Sequence, residues 1–203
     1  MVDIPKNSLH ILTEEELQAS IFETLKQHQP NTEIWIFAYG SLIWNPIFKY
    51  VERRIGEIKG WQRKFCLLAP VGRGTRENPG LFLGLESGGS CQGIAYRIEK
   101  ANMLDELSVI WRREMIVNTY IPRWVNVINN QEEFNAITFV INHNHRMYAG
   151  DLSDDAIVNK IATAKGELGS CADYLKQTVE GLTAAGLVDE ELFELYNQVK
   201  IIK

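Results

Sequence analysis

Cysteine is scarce in this chain of 203 residues: Cys66, Cys91 and Cys171 lie far apart and form no CxxC pair. That spacing excludes a zinc knuckle and a redox dithiol, and an odd count of thiols fits a reducing, cytoplasmic compartment. Cys66 sits in an apolar run and reads as a small buried hydrophobe, since no histidine has a claim to activate it. Histidine is equally sparse. His10 and His28 read as surface or loop residues, as do His143 and His145, and although the last two flank Asn144 at i, i+2, no third ligand accompanies them. No metal site is expected. No apolar run is long enough to span a membrane. The start Met1-Val2-Asp3-Ile4-Pro5-Lys6, running into Glu14-Glu15-Glu16, lacks the basic and apolar regions of a signal peptide. Positive charge is never concentrated either: 21 basic against 26 acidic residues leave a net charge of -5, and the basic residues are scattered apart from the pairs Arg53-Arg54, Arg63-Lys64 and Arg112-Arg113. A surface that tracks nucleic-acid phosphates is excluded on that ground.

What is present is an ordinary globular balance, 45% hydrophobic and 23% charged, able to bury a real core without staples. With neither repeats nor a low-complexity tract, the expectation is one domain over 1–203 with an N-terminal helical extension over about 1–30. Thr13-Glu14-Glu15-Glu16 has capping-box spacing, and Leu17, Ile21, Phe22 and Leu25 follow at helical intervals, predicting a helix over 13–27 that stops before Pro30. Ile34-Trp35-Ile36-Phe37-Ala38 is a short continuous apolar run, which predicts a strand buried on both faces, with Tyr39-Gly40-Ser41-Leu42 as the turn at its end. Strands are predicted over 55–58, 62–68, 81–85 and 92–97, the last two joined as a hairpin through Gly88-Gly89. A helix over 101–115 follows, then strands over 117–121, 124–128 and 136–141, with Asn129-Asn130 as a turn. Helices opening at Ser153, at Ser170 through a second capping box, and at Val188-Asp189 complete an α+β pattern.

Three places carry candidate chemistry. The turn 37–42 puts a glycine and a hydroxyl at the exit of a buried strand, where successive amides could hold a carboxylate or an oxyanion; a plain Gly-Ser turn has the same local pattern. In the helix 101–115, Leu104, Leu107 and Trp111 form an apolar stripe that Glu114 continues. Burial there would raise its carboxyl pKa and fit it to take and return a proton, whereas an ion pair with Arg112, Arg113 or Arg123 would make it structural. Glu99, Asp105 and Glu106 fall on other faces and are expected in solvent. Arg73 and Arg76 bracket a polar loop that is either a carboxylate clamp or simply solvated.

Several separated segments, in order, resemble one family: Trp35 through Pro46 around Tyr39-Gly40-Ser41-Leu42, Arg73-Gly74-Thr75, Pro79-Gly80-Leu81, Gly88 through Arg97, Trp111-Arg112-Arg113-Glu114-Met115, Tyr148-Ala149-Gly150 and Gly169 through Leu175. Together they resemble the ChaC family of glutathione-specific γ-glutamylcyclotransferases, in its bacterial-type form, over most of the chain after residue 33. The resemblance implies a γ-glutamylcyclotransferase-like small mixed β-barrel flanked by helices. It also implies a cytoplasmic enzyme, a carbon-nitrogen lyase that needs no metal or cofactor and takes glutathione to 5-oxoproline and Cys-Gly. It places the γ-glutamyl group on Phe37, Ala38, Tyr39, Gly40, Ser41 and Leu42, and the proton-transferring carboxyl on Glu114. Ala38 stands where many members have glycine, and Glu77-Asn78 departs from the common loop. Cyclotransfer from other γ-glutamyl amines or amino acids, and a non-catalytic γ-glutamyl-binding regulator of transport, are the alternative readings. No nucleic acid or membrane partner is expected.

Overall fold

The computed structural model describes residues 10–28, 32–130 and 132–202; Pro30, the expected stop of the first helix, and the first nine residues of the extension lie outside that set. Thr13 caps helix α1 (Glu14–Leu25) by the reciprocal pair that its sequence encodes, Glu16 N–H to Thr13 Oγ1 at 3.2 Å and Thr13 N–H to Glu16 Oε2 at 2.8 Å. Leu17 and Ile21 face the core, while Phe22 is exposed.

Strand β1 (Ile34–Ala38) is buried at all five positions and has neighbours on both edges. It runs antiparallel to β3 (Gly80–Ile98), from Ile34↔Ile98 to Ala38↔Ile94, and parallel to β5 (Glu132–Ile141) at Ile36↔Ile137. With β2 (Glu52–Ala69) and β4 (Tyr120–Asn129) these strands close into a barrel in the order β1-β3-β2-β4-β5. Closure removes the open edges that an apolar strand such as β1 would otherwise present.

Three expectations about the sheet are corrected. Gly88 and Gly89 do not turn a hairpin. The segments on either side of them both pair with β2, Leu81↔Leu68 before and Gln92↔Glu57 after, so β3 passes straight through. The glycines, with φ of +115° and +60°, absorb the extra residue of a bulge opposite Gly60, which has φ of +81°. In the same way the segments 55–58 and 62–68 are one bulged strand, and β4 continues through Pro122. Proline is tolerated there because β4 pairs with β2 only at Val127 and Ile128. Asn130, with φ of +54°, makes the expected turn into β5.

Between β3 and β4 a 3-10 turn (Lys100–Asn102) leads into α3 (Met103–Glu114). Helix α1 lies along α3, joined by Gln18 Nε2 to Ser108 Oγ at 2.8 Å, Trp111 Nε1 to Ser20 Oγ at 3.0 Å and a two-pronged Arg112–Glu14 contact at 2.7 and 2.9 Å. The C-terminal helices have side-chain caps. Ser153 caps α4 (Asp154–Thr163), Ser170 and Asp173 form a capping box at α5 (Cys171–Ala184), and Asp189 accepts from Leu192 N–H at 3.0 Å at the start of α6 (Glu190–Ile202). The two-residue strands β6 (Lys165–Gly166) and β7 (Gly169–Ser170) are too short to leave a pattern in the sequence. No helix among the described residues is long and apolar enough to cross a membrane.

The closest backbone approach behind the end of β1 is at Gly93. A Cβ there would lie 2.3 Å from the Ala38 carbonyl oxygen and 2.7 Å from Phe37 Cζ, so β1 itself would have to move. Gly93→Ala is expected to destabilise the fold by about 1–3 kcal/mol, read as a lower urea midpoint at unchanged slope; an unchanged midpoint would mean that the two strands separate freely at this point.

Candidate active site

The chain leaves β1 through Tyr39 and Gly40 and enters a single-turn helix, α2 (Ser41–Trp44), where Ile43 N–H returns to Gly40 O at 2.9 Å. The first amides of such a turn have no intrahelical acceptor. Side chains around it fix its path. Arg63, buried on β2, donates from Nε to Tyr39 O at 2.6 Å, from a terminal nitrogen to Gln92 O at 2.6 Å, and forms an ion pair with Asp189. Tyr39 donates its hydroxyl to Phe139 O at 2.8 Å, and Trp44 Nε1 meets Thr178 Oγ1 at 3.2 Å on α5.

All seven residues expected in the site, Phe37, Ala38, Tyr39, Gly40, Ser41, Leu42 and Glu114, line one small cavity of about 30 Å³ at this end of the barrel. Leu83, Tyr120, Phe139 and Tyr174 complete its wall. None of these four was singled out from the sequence. Leu83 could have been found from the alternation of Leu81, Leu83 and Leu85, all buried on one face of β3, but nothing local separates Tyr120 or Phe139 from any other strand aromatic.

Glu114 ends α3, and its side chain is only 14% exposed. The stripe that carries it is Leu107, Ile110, Trp111 and Glu114; Leu104, expected on it, is 44% exposed and faces away. Burial raises the Glu114 carboxyl above its ordinary value, and the Arg113 guanidinium, 3.4 Å from Oε1, opposes that rise. The two readings left open for Glu114 therefore meet in one residue. Arg112 turns outward to Glu14 and Arg123 is exposed on β4. Arg113 also donates to Ser41 Oγ at 2.8 Å and to Asn45 O at 2.9 Å, which joins α3 to the turn.

The phenols of Tyr39, Tyr120 and Tyr174 are all raised, first by burial and further by the negative charge of Glu114. Tyr120 gives its hydroxyl to Leu83 O at 2.7 Å. At ordinary pH these rings remain neutral donors, and the carboxyl is the group in the cavity able to exchange a proton. A desolvated carboxyl beside a pocket of aromatic walls, a hydroxyl and a turn of amides can bind a small polar group and shuttle a proton on it.

Other expected features fall elsewhere. Arg73 is neither clamp nor solvated: it is buried, donates to Gln177 Oε1 at 3.0 Å and Ser170 O at 3.3 Å, and lies over the Tyr174 ring at 6.0 Å. Arg76 is exposed. Glu106, expected in solvent, is buried and accepts the Lys49 N–H at 2.8 Å. Cys66 is buried as expected, and burial pushes the thiols of Cys91 and Cys171 up to about 11. Among the described residues no group of three or more His, Cys, Asp or Glu side chains could hold a metal ion.

Residues 34–202 match the family model described as ChaC-like protein. The chain is 38% identical to the glutathione-specific γ-glutamylcyclotransferase of Escherichia coli (strain K12), over 92% of this chain and 81% of that protein. It is 32% identical to the glutathione-specific γ-glutamylcyclotransferase 1 of Danio rerio, over 73% and 79%. Among solved structures, the yeast γ-glutamyl cyclotransferase specific to glutathione superposes with a TM-score of 0.76 at 20% identity, covering 84% of this chain and 96% of that one, which is a likeness of fold.

The raised carboxyl has a consequence for stability that is independent of any substrate. A group whose folded-state pKa lies above its unfolded value of about 4.5 costs stability once pH passes that value, and the cost grows until the folded pKa is reached. Glu114→Gln is therefore expected to be more stable than the parent at pH 8, with the difference vanishing towards pH 4. Urea midpoints of both proteins across this range decide it, and a constant offset would contradict a desolvated carboxyl.

Proposed function

Because the chain belongs to the ChaC-like protein family, we propose that it is an enzyme, a glutathione-specific γ-glutamylcyclotransferase. The observation that carries this reading is the desolvated Glu114 carboxyl set against the Tyr39-Gly40-Ser41-Leu42 turn in one cavity. The names of its relatives supply the substrate, glutathione.

The chemistry asks little of the protein beyond geometry and one proton carrier. The α-amine and γ-carbonyl of a γ-glutamyl amide belong to the same residue, so folding that residue back forms the C–N bond of a five-membered lactam. The amide bond to cysteine then breaks, releasing 5-oxoproline and Cys-Gly with no water consumed. Holding the attack geometry is worth up to roughly 7–11 kcal/mol of barrier. The substrate amine arrives as an ammonium ion. Glu114 takes a proton from it and delivers one to the departing nitrogen, which is why a carboxyl with a raised pKa serves both halves. The turn amides and the Ser41 hydroxyl hold the glutamyl α-carboxylate or the developing oxyanion, a well-placed donor in the second role contributing about 3 kcal/mol.

Phe37, Ala38, Tyr39, Gly40, Ser41 and Leu42 form the γ-glutamyl subsite in this reading, with Glu114 as the catalytic residue. The lining they share supports it. The contact of α1 with α3 supports treating 1–203 as a single domain whose N-terminal extension braces the catalytic helix. Three free cysteines fit a cytoplasmic location.

Glu114→Gln is expected to keep the fold and lose turnover by at least about 100-fold, measured as 5-oxoproline release from glutathione. Retained turnover would remove Glu114 from the mechanism. N-acetylated glutathione lacks the nucleophile and is expected to be inert; its cleavage would replace lactam closure by hydrolysis. A methyl at Gly40 would stand 3.5 Å from Tyr174 Oη and 3.7 Å from Leu83 Cδ1, ordinary contacts that spare the fold but fill the cavity. Gly40→Ala is thus expected to unfold at the parent's urea midpoint while KM for glutathione rises. An unchanged KM would place the γ-glutamyl group elsewhere.

A further inference from the structure

We infer that Arg113 is a positioning residue for the reaction, one that turns Ser41 into a hydrogen-bond donor towards the substrate and holds the Glu114 carboxyl against the turn. The inference rests on the cyclotransferase reading above and adds a role to a side chain outside the cavity lining.

The geometry begins with what a guanidinium is able to do. Its N–H groups lie in one rigid plane, it accepts nothing, and it stays protonated at every accessible pH. Three of its nitrogens face three different pieces of the site: one terminal nitrogen reaches Ser41 Oγ at 2.8 Å, the other Asn45 O at 2.9 Å, and Nε faces Glu114 Oε1 at 3.4 Å. Ser41 Oγ and Asn45 O are the first hydroxyl and the terminal carbonyl of the same short turn, so the guanidinium fixes both ends of α2 relative to the last residue of α3.

A hydroxyl that accepts from a guanidinium cannot give its own hydrogen back to it. Ser41 therefore keeps its O–H for another acceptor, and Ser41 lines the cavity. Without Arg113 the hydroxyl is free to rotate and to accept instead. The same guanidinium is the cation beside Glu114. The other titratable groups that line the cavity are Tyr39 at the end of β1, Tyr120 on β4 and Tyr174 on α5, and all three are held neutral by burial. The Glu114 proton affinity is thus a balance between burial and Arg113. Removing the guanidinium leaves burial unopposed.

The test compares Arg113→Met, Arg113→Lys and Ser41→Ala, each checked for an intact thermal transition. For Arg113→Met, kcat with glutathione is expected to fall about 100–1000-fold, the size of one lost transition-state donor. The acid limb of its pH profile is expected to move to higher pH. Arg113→Lys keeps the charge but not the planar fork, so its acid limb should stay near the parent's while kcat remains reduced. Ser41→Ala combined with Arg113→Met should cost little more than Arg113→Met alone, because the hydroxyl is already misdirected.

A second readout does not depend on turnover. The Glu114 carboxyl, followed by carbon NMR in protein labelled at glutamate and assigned with Glu114→Gln, is expected to titrate at higher pH in Arg113→Met. Parent protein that releases no 5-oxoproline would defeat the cyclotransferase reading while leaving this titration interpretable. An active parent overturns the positioning role if the carboxyl midpoint and acid limb are unmoved in Arg113→Met and the losses in the double variant multiply.

Discussion

The carboxyl of Glu114 is kept out of water at the mouth of a barrel, and much of the surrounding structure answers that constraint. An ionised group removed from solvent is costly unless something offsets it. Here Arg113 offsets it from the adjacent position on the same helix. The helix end must in turn be immobile, since a small displacement would return the carboxyl to solvent. Helix α1 supplies that restraint along the outer face of α3, and Trp111, fully buried, packs edge-on against Phe139 at 5.0 Å from the inner face. Phe139 also accepts the Tyr39 hydroxyl through its carbonyl. The carboxyl and the turn opposite it are therefore referenced to one residue of β5.

Two arginines restrain that turn. Arg63 holds the Tyr39 carbonyl and ties it to β3 and to the first residues of α6. Arg113 holds Ser41 and Asn45, the two ends of α2 beyond Gly40, and ties them to α3. On the proposed reading the amides of this turn meet the substrate, and a backbone that offers its amides in that way cannot spend them on a longer helix. Its rigidity has to come from carbonyls and side chains, and those are the groups the two guanidinium ions engage. The C-terminal helices join the site through Asp189 and through Tyr174, which lies beneath Arg73.

The sequence was most readable where one local cause decides one local outcome. Thr13, Ser153 and Ser170 cap helices because a short hydroxyl and a free amide are all that a cap requires. Ile34 through Ala38 form a strand because a continuous β-branched and aromatic run suits burial on both faces. The seven expected site residues share a cavity, though the pattern at Phe37 through Leu42 fits a plain Gly-Ser turn as well, and it is the family resemblance that points to a binding turn. What could not be read depends on pairing at a distance. Gly88-Gly89 has the chemistry of a hairpin, and only the common partner β2 makes it a bulge. Leu104 fits the helical period, yet the barrel wall begins one turn later. Glu106 and Arg73 look like solvated charges until the Lys49 amide and the Ser170 carbonyl come within reach across 57 and 97 positions of chain.

The same walls that desolvate the carboxyl bear on which reaction the site permits. A γ-glutamyl carbonyl held in an aqueous cleft is open to attack by water as well as by its own amine. Phe37, Phe139 and the three tyrosines surround the cavity with groups whose hydrogen-bonding capacity is limited and partly spent, since Tyr39 and Tyr120 already donate to Phe139 and Leu83 carbonyls. The polar groups left for a guest are the Glu114 carboxyl, the Ser41 hydroxyl and the amides of the turn, and a γ-glutamyl group that occupied them would leave a water without the several partners it needs. In the proposed reaction the amine enters attached to the substrate, already beside its own carbonyl, with Glu114 to take its proton. On the proposed reading, exclusion of water and elevation of the carboxyl pKa come from the same aromatic surface, which favours ring closure over hydrolysis.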